Sequence, residues 1–312
     1  MVELTSTRSN PMIDPGLHVW GWEIPVYLFL GGLVAGMMAI SGYFLFTGRY
    51  KFANCACRVL PGISLVLLSL GMLALFLDLE HKLYVWRLYT TFKILSPMSW
   101  GSWILLLVYP ALVANFLVSV PDFAGRRWAR LRAFSDRILE RHLLVRWIGA
   151  VNIVLGSLLG IYTGILLSAL GARPLWSSAL LGPLFLVSGL SSAAAFVHMI
   201  ARDRDEREML ARADNGFLTI ELVVIGLFLI GLITATEAHI RAAGLLLGGP
   251  YTAVFWVFVV GVGIVLPLVI QPLAVSHRIR HTAVAPILVI VGGLLLRIVI
   301  VYAGQASHWS PI

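Results

Sequence analysis

Charge is what this sequence has least of. Asp, Glu, Lys and Arg together make up 12% of the chain against 59% hydrophobic residues. The charges gather between apolar runs and do not spread along amphipathic faces, which excludes a soluble globular core. Cysteine is nearly absent. Cys55 and Cys57 cannot supply the four thiolates of an iron–sulfur cluster; on the expected cytoplasmic side they read as incidental, reduced thiols. Histidine is absent wherever a haem would need it. His18, His81, His239 and His308 fall at one edge of the expected membrane region, and His142, His198, His277 and His281 at the other. A membrane haem b takes axial ligands at matching depth on facing helices, so neither haem nor a Cys/His metal centre is expected. A cleavable signal peptide is not expected either, because residues 1–21 are polar and hold no apolar segment.

What remains is long hydrophobic runs. Eight are long enough to span, at about 20 residues per helix: 24–46, 59–77, 101–120, 145–170, 176–199, 217–236, 252–271 and 284–303. The expected fold is all-α and integral to the membrane, a single domain over 1–312. Lys and Arg set its orientation. The connections on one side hold six of them, those on the other sixteen, with Arg297 inside the last run. The basic side is expected to be cytoplasmic, in a prokaryotic inner membrane, with both termini extracytoplasmic. The net charge of +8 is thereby a topology signal, and no nucleic-acid partner is expected. Connection 121–144, with Arg126, Arg127, Arg130, Arg132, Arg137 and Arg141, reads as an amphipathic helix on the anionic leaflet. The stretch Arg202-Asp-Arg-Asp-Glu-Arg-Glu reads as a solvated connector.

A weak internal repeat divides the chain into halves 22–170 and 176–303. Leu28-Phe-Leu-Gly-Gly-Leu-Val-Ala-Gly echoes Leu184-Phe-Leu-Val-Ser-Gly-Leu-Ser-Ser, and Asp78-Leu-Glu-His81 echoes Glu237-Ala-His239. Two four-helix bundles related by duplication account for this; chance similarity among small-residue helices is the rival. Gly32 with Gly36, Gly156 with Gly160, and Gly189 with Ser192 have the spacing of close helix packing.

Ionisable groups inside lipid need a partner or a role. Glu23, Asp78, Glu221, Glu237 and Arg297 qualify. Trp20 and Trp22 mark the outer interface, which places Glu23 just inside it and Tyr27 about one turn deeper. The second run delivers Asp78 to the same edge, and Tyr162 lies about 12 Å before the end of the fourth. Glu23, Tyr27, Asp78 and Tyr162 can therefore share one pocket, with Trp22 at its edge; the competing reading is carboxylates that only meet headgroups and water. Such a pocket suits a lipid-soluble quinone, whose carbonyls need donors and whose reduction needs two protons. Glu23, Asp78, Glu221, Glu237 and Arg297 are the candidate proton-transfer residues. Arg297 is expected to pair with Glu237 or Glu23. Glu221, about one turn into the sixth run, is either the inner end of a proton path or a helix-start carboxylate favoured by the dipole.

Five segments then carry a resemblance: Trp22-Glu-Ile-Pro-Val-Tyr-Leu-Phe-Leu-Gly-Gly-Leu, Ser96-Pro-Met-Ser-Trp-Gly-Ser-Trp, Tyr162-Thr-Gly-Ile-Leu-Leu-Ser-Ala-Leu, Leu184-Phe-Leu-Val-Ser-Gly-Leu-Ser-Ser and Leu296-Arg-Ile-Val-Ile-Val-Tyr-Ala-Gly-Gln. In this order along nearly the whole chain they resemble the NrfD-like family of quinone-interacting membrane subunits. The resemblance implies a haem-less chain that exchanges electrons between menaquinone or ubiquinone and an extracytoplasmic ferredoxin-like subunit with four-iron clusters, usually joined to a molybdenum catalytic subunit. It also implies that Tyr162 contacts quinone. Where the family pattern has a histidine and an asparagine in the first helix, this sequence has Tyr27 and Ile24. His81, Arg87 and Trp100 are the expected partner contacts. A secondary transporter and a purely structural anchor are the alternatives.

Overall fold

The computed structural model describes residues 20–51, 55–94, 96–120, 129–169, 171, 173–275 and 283–309. His18, Arg126, Arg127, His277, His281 and both termini, on which parts of the sequence reading rest, lie outside them. In chain order the helices are α1 (Glu23–Phe46), α2 (Leu60–Asp78), α3 (Arg87–Thr90), α4 (Pro97–Val118), α5 (Ala129–Leu139) and α6 (His142–Ser168). They continue as α7 (Leu181–Ile200), α8 (Arg204–Ile233), α9 (Glu237–Leu247), α10 (Val254–Val265), α11 (Leu266–Val275) and α12 (Val284–Ala306). Eight stretches among them are long and apolar enough to cross a membrane, with α10 running on into α11 as one of the eight. No strand occurs among the described residues. The protein is an all-α, multi-pass membrane protein.

The helix ends differ from the hydrophobic runs where local chemistry outweighs hydropathy. α4 starts at Pro97, before the apolar run begins, because proline fits a first helical turn that needs no N–H donor there. α7 starts at Leu181; the expected first turn is instead a three-ten turn, Pro174–Trp176, whose buried indole donates to the Ile300 carbonyl at 2.9 Å. The largest difference is α8. The stretch from Arg204 onward, expected as a solvated connector, forms the helix's first turns, laced by Arg204–Glu208 at 3.5 Å and Arg212–Glu208 at 3.8 Å. Glu206 in the same turns is buried and accepts the Ala56 N–H at 3.2 Å. At its other end α8 stops at Ile233, and Glu237 opens α9, so the echo between Asp78 and Glu237 pairs a helix end with a helix start. Cys55 is disulfide-bonded, which corrects the expectation of a reduced thiol.

α10 has the wide winding of a π-helix, which ends two residues before Pro267. Proline has no N–H to give an α-helical ladder. α5 lies within the arginine-rich connection as expected, with Phe134 exposed and Ser135 turned inward to donate to the Val118 carbonyl at 2.9 Å.

α1 is the most enclosed span and packs against α2, α6, α7 and α12. Small residues make this possible. A Cβ at Gly36 would overlap the Gly189 carbonyl and Ala193, and one at Gly189 would overlap the Gly32 backbone. Lipid tails are as apolar as leucine, so close backbone contact must supply the attraction between membrane helices. The start of α1, the ends of α2, α6, α8 and α12, and the starts of α4 and α7 share one face, poor in arginine; the Arg-rich connections share the other.

Gly189→Leu is expected to cost about 1–3 kcal/mol or more through overpacking. It should lower the thermal midpoint of the detergent-solubilised protein. Gly226→Leu, where a Cβ meets nothing within 4 Å, should leave that midpoint unchanged.

Candidate functional site

Near the arginine-poor face, α1, α2, α4 and α6 enclose a cavity of about 270 Å³. Its wall is apolar (Met72, Leu75, Phe76, Met98, Leu105, Leu166) except for Ser102 and three phenols, Tyr27, Tyr89 and Tyr162. Tyr27 sits one turn into α1, where the stripe that packs on α2 carries it inward; Tyr162 sits two turns before the end of α6. Both are at most 5% exposed, and they lie near enough to act on each other electrostatically. Among the described residues no hydrogen-bond partner engages either phenol oxygen. Gly101 is why Tyr162 fits: a Cβ there would collide with the phenol, so the ring lies against the bare backbone of α4.

Tyr89 comes from α3, in the connector between α2 and α4. It acts electrostatically on Tyr27, and Leu79, Val85 and Leu88 line the cavity beside it. Burial, and then nearby Tyr109, push the Tyr89 phenol above its ordinary pKa, so near neutral pH it is a protonated donor. A tyrosine in a charged connector gives no periodicity to flag it, and sequence reasoning missed it.

A second polar cluster lies deeper, among α7, α8, α11 and α12. Arg297 is fully buried. Its guanidinium donates to the Phe185 carbonyl at 2.9 Å, to the Gly293 carbonyl at 2.9 Å and to the Ser188 hydroxyl, and it lies 5.0 Å over the Phe185 ring. The Ser188 hydroxyl in turn hydrogen-bonds Glu221, which acts electrostatically on Arg297. Glu221 is therefore the counter-ion, in place of the expected Glu237 or Glu23. It is also no helix-start carboxylate. Because α8 begins at Arg204, Glu221 stands about 25 Å along it. One face of α8 carries Asp214 seven residues before Glu221. Asp214 is 1% exposed and accepts from Ser191 at 2.6 Å and Gln271 at 2.5 Å. Sequence reasoning missed Asp214 because the sixth run was started three residues after it; the seven-residue spacing to Glu221 was the available signal.

The structure thus brings together Tyr27 with Tyr162, and Glu221 with Arg297. Glu23 and Asp78 approach each other closely enough to interact, yet neither lines the cavity. Trp22 is 58% exposed and outside it. Glu237 stands apart from the buried cluster, in an exposed pair with Arg241 at 3.3 Å. His81 and Arg87 are exposed on the connector, Arg87 stacked over Tyr84 at 4.7 Å. The Trp100 indole N–H is taken by the Ile94 carbonyl at 2.7 Å. No group of three or more His, Cys, Asp or Glu able to hold a metal occurs among the described residues.

An eight-span helical membrane protein with an apolar, phenol-lined cavity near one face is the class these features define. The family model described as "Polysulphide reductase, NrfD" matches residues 10–307, and the chain belongs to the NrfD family. It is similar to Protein NrfD of Escherichia coli (strain K12), 31% identical over 93% of this chain and 96% of that protein. It is also similar to a polysulfide reductase chain of Wolinella succinogenes, 28% identical over 92% of this chain and 94% of that one. A third relative is a selenate reductase subunit of Mesobacillus selenatarsenatis, 24% identical over 94% of this chain and 76% of that protein.

Removing one member of a buried ion pair costs about 3–5 kcal/mol because the other charge is left uncompensated. Arg297→Leu should therefore sharply reduce the yield of folded, monodisperse protein. The double variant Arg297→Leu/Glu221→Leu should recover most of it, as read by size-exclusion profile and thermal midpoint.

Proposed function

We propose that the chain is the quinone-reactive membrane subunit of a respiratory oxidoreductase. Relatives named as parts of polysulfide and selenate reductases support a place as the membrane subunit of such an enzyme. The quinone reading rests on one observation: two buried phenols, without a hydrogen-bond partner among the described residues, face an apolar cavity inside a membrane protein. A quinone ring supplies what this cavity lacks. Its flat apolar body fits the aliphatic wall, and its carbonyls accept from the Tyr27 and Tyr162 hydroxyls.

Oxidation of a quinol releases two electrons and two protons; reduction of a quinone takes up the same. Menaquinone or ubiquinone is the substrate. The electrons pass to or from an extracytoplasmic ferredoxin-like subunit with four-iron clusters, itself joined to a molybdenum catalytic subunit. Glu23 and Asp78, beside each other at the arginine-poor face, are placed to exchange the protons with water. The excess of Lys and Arg on the other face supports assigning that side to the cytoplasm. The buried Asp214, Glu221 and Arg297 cluster supports a further role in proton movement, since intramembrane carboxylates, each here bonded to its own serine hydroxyl, can hold and pass protons.

Tyr162→Phe removes one hydroxyl and keeps the ring. Losing one donor to a bound carbonyl costs about 1–3 kcal/mol, so quinone turnover by the assembled complex should fall roughly tenfold or more. Reduction of a soluble dye by the partner subunits should be unaffected. If turnover is unchanged in a complex that stays assembled, the quinone site is elsewhere.

A further inference from the structure

The segment Ser96-Pro-Met-Ser-Trp-Gly-Ser-Trp opens α4, and three of its side chains grip the backbone of the connector before it. The Ser102 hydroxyl lies 2.6 Å from the Leu88 carbonyl and 2.8 Å from the Ser99 carbonyl of its own helix, and its one hydrogen serves either acceptor. Ser99 donates to the Thr91 carbonyl at 3.1 Å and accepts the Lys93 N–H at 3.0 Å. The Trp100 indole donates to the Ile94 carbonyl at 2.7 Å. The gripped carbonyls, at 88 inside the single turn of α3 and at 91 and 94 beyond its end at Thr90, recur every third residue where no following helical N–H reaches them. These bonds satisfy them.

The gripped stretch is the one that carries Tyr89 to the cavity. Its inner side chains, Val85, Leu88 and Tyr89, form part of the cavity wall. Its exposed side chains include large apolar ones: Leu83 is 88% exposed, Ile94 68% and Phe92 57%, with Phe92 edge-on to Trp103 of α4 at 5.4 Å. Nothing on the exposed side presses the connector inward among the described residues, so its position against the cavity depends on the α4 side chains.

We propose that Tyr89 is a third hydroxyl contact for the quinone ring, and that Ser99, Trp100 and Ser102 are positioning residues that hold it there. This rests on the quinone reading of the cavity. Trp100 and Ser99 do not line the cavity, so any effect they have on the ring passes through the connector. Ser102 does line it, and a direct contact by its hydroxyl is the competing account for that residue. Tyr89 lines the same cavity as Tyr27 and acts on it electrostatically.

The test is a mutant cycle on the complex purified with its native partners, with decylubiquinol and menadiol as substrates. Tyr89→Phe should raise KM about tenfold and leave kcat within about twofold, the pattern of a contact made equally in ground and transition states. Trp100→Phe, which keeps an aromatic ring and loses the N–H, should raise KM severalfold. The double variant Trp100→Phe/Tyr89→Phe should be no worse than Tyr89→Phe alone, because a residue acting through another adds nothing once that one is gone. Ser99→Ala should repeat the pattern if Trp100→Phe fails to assemble. Effects that multiply in the double variant, or an unchanged KM in Tyr89→Phe, would overturn the proposal. Tyr162→Phe separates the two levels. If it impairs turnover while Tyr89→Phe does not, only the Tyr89 assignment falls; if neither does, the quinone reading falls with it.

Discussion

Hydrocarbon offers a polar group no hydrogen bond, and this constraint organises the interior of the chain. Arg297 shows its effect most directly. A guanidinium with no water to turn to has drawn two backbone carbonyls, a serine hydroxyl, an aromatic face and a carboxylate around itself. Asp214 has likewise drawn Ser191 and Gln271. The phenols of Tyr27 and Tyr162, with no hydrogen-bond partner among the described residues, differ from these groups in lining a cavity large enough to admit one. The proposed quinone site takes up that pair.

α1 ties the two polar regions together. Tyr27 faces the cavity, and Gly32, five residues on, lies against the Arg297 guanidinium, where a Cβ would come within 3.1 Å of it. That interval is about 7.5 Å of helix. The glycines that let α1 and α7 touch backbone to backbone therefore also set the distance between the phenol-lined cavity and a buried charge cluster. Close packing and chemistry use the same residues of α1.

The spans, the family and the meeting of Tyr27 with Tyr162 at one cavity were legible in the sequence because each rests on a long pattern: hydropathy over some twenty residues, or motifs in a fixed order. What was illegible rests on local tertiary facts. Hydropathy ends where charge begins, so the charged first turns of α8 read as a connector; with them went the depth of Glu221 and the existence of Asp214 as a membrane residue. The partner of Arg297 depends on which helices face each other, and no spacing within one helix reveals that. Tyr89 was hidden for a related reason. Connectors lack a period, and the Ser99, Trp100 and Ser102 side chains donate to the connector's backbone carbonyls, which its side-chain sequence does not reveal.

The central claim is that quinone binds between α1, α2, α4 and α6. Photo-crosslinking of the purified complex with an azido-quinone, followed by peptide mapping, tests it without reliance on turnover. Label should appear on peptides covering residues 72–105 and 162–166, and excess unmodified quinone should compete it away. Competable label confined to α8–α12, in a complex that retains all its subunits, would contradict the account.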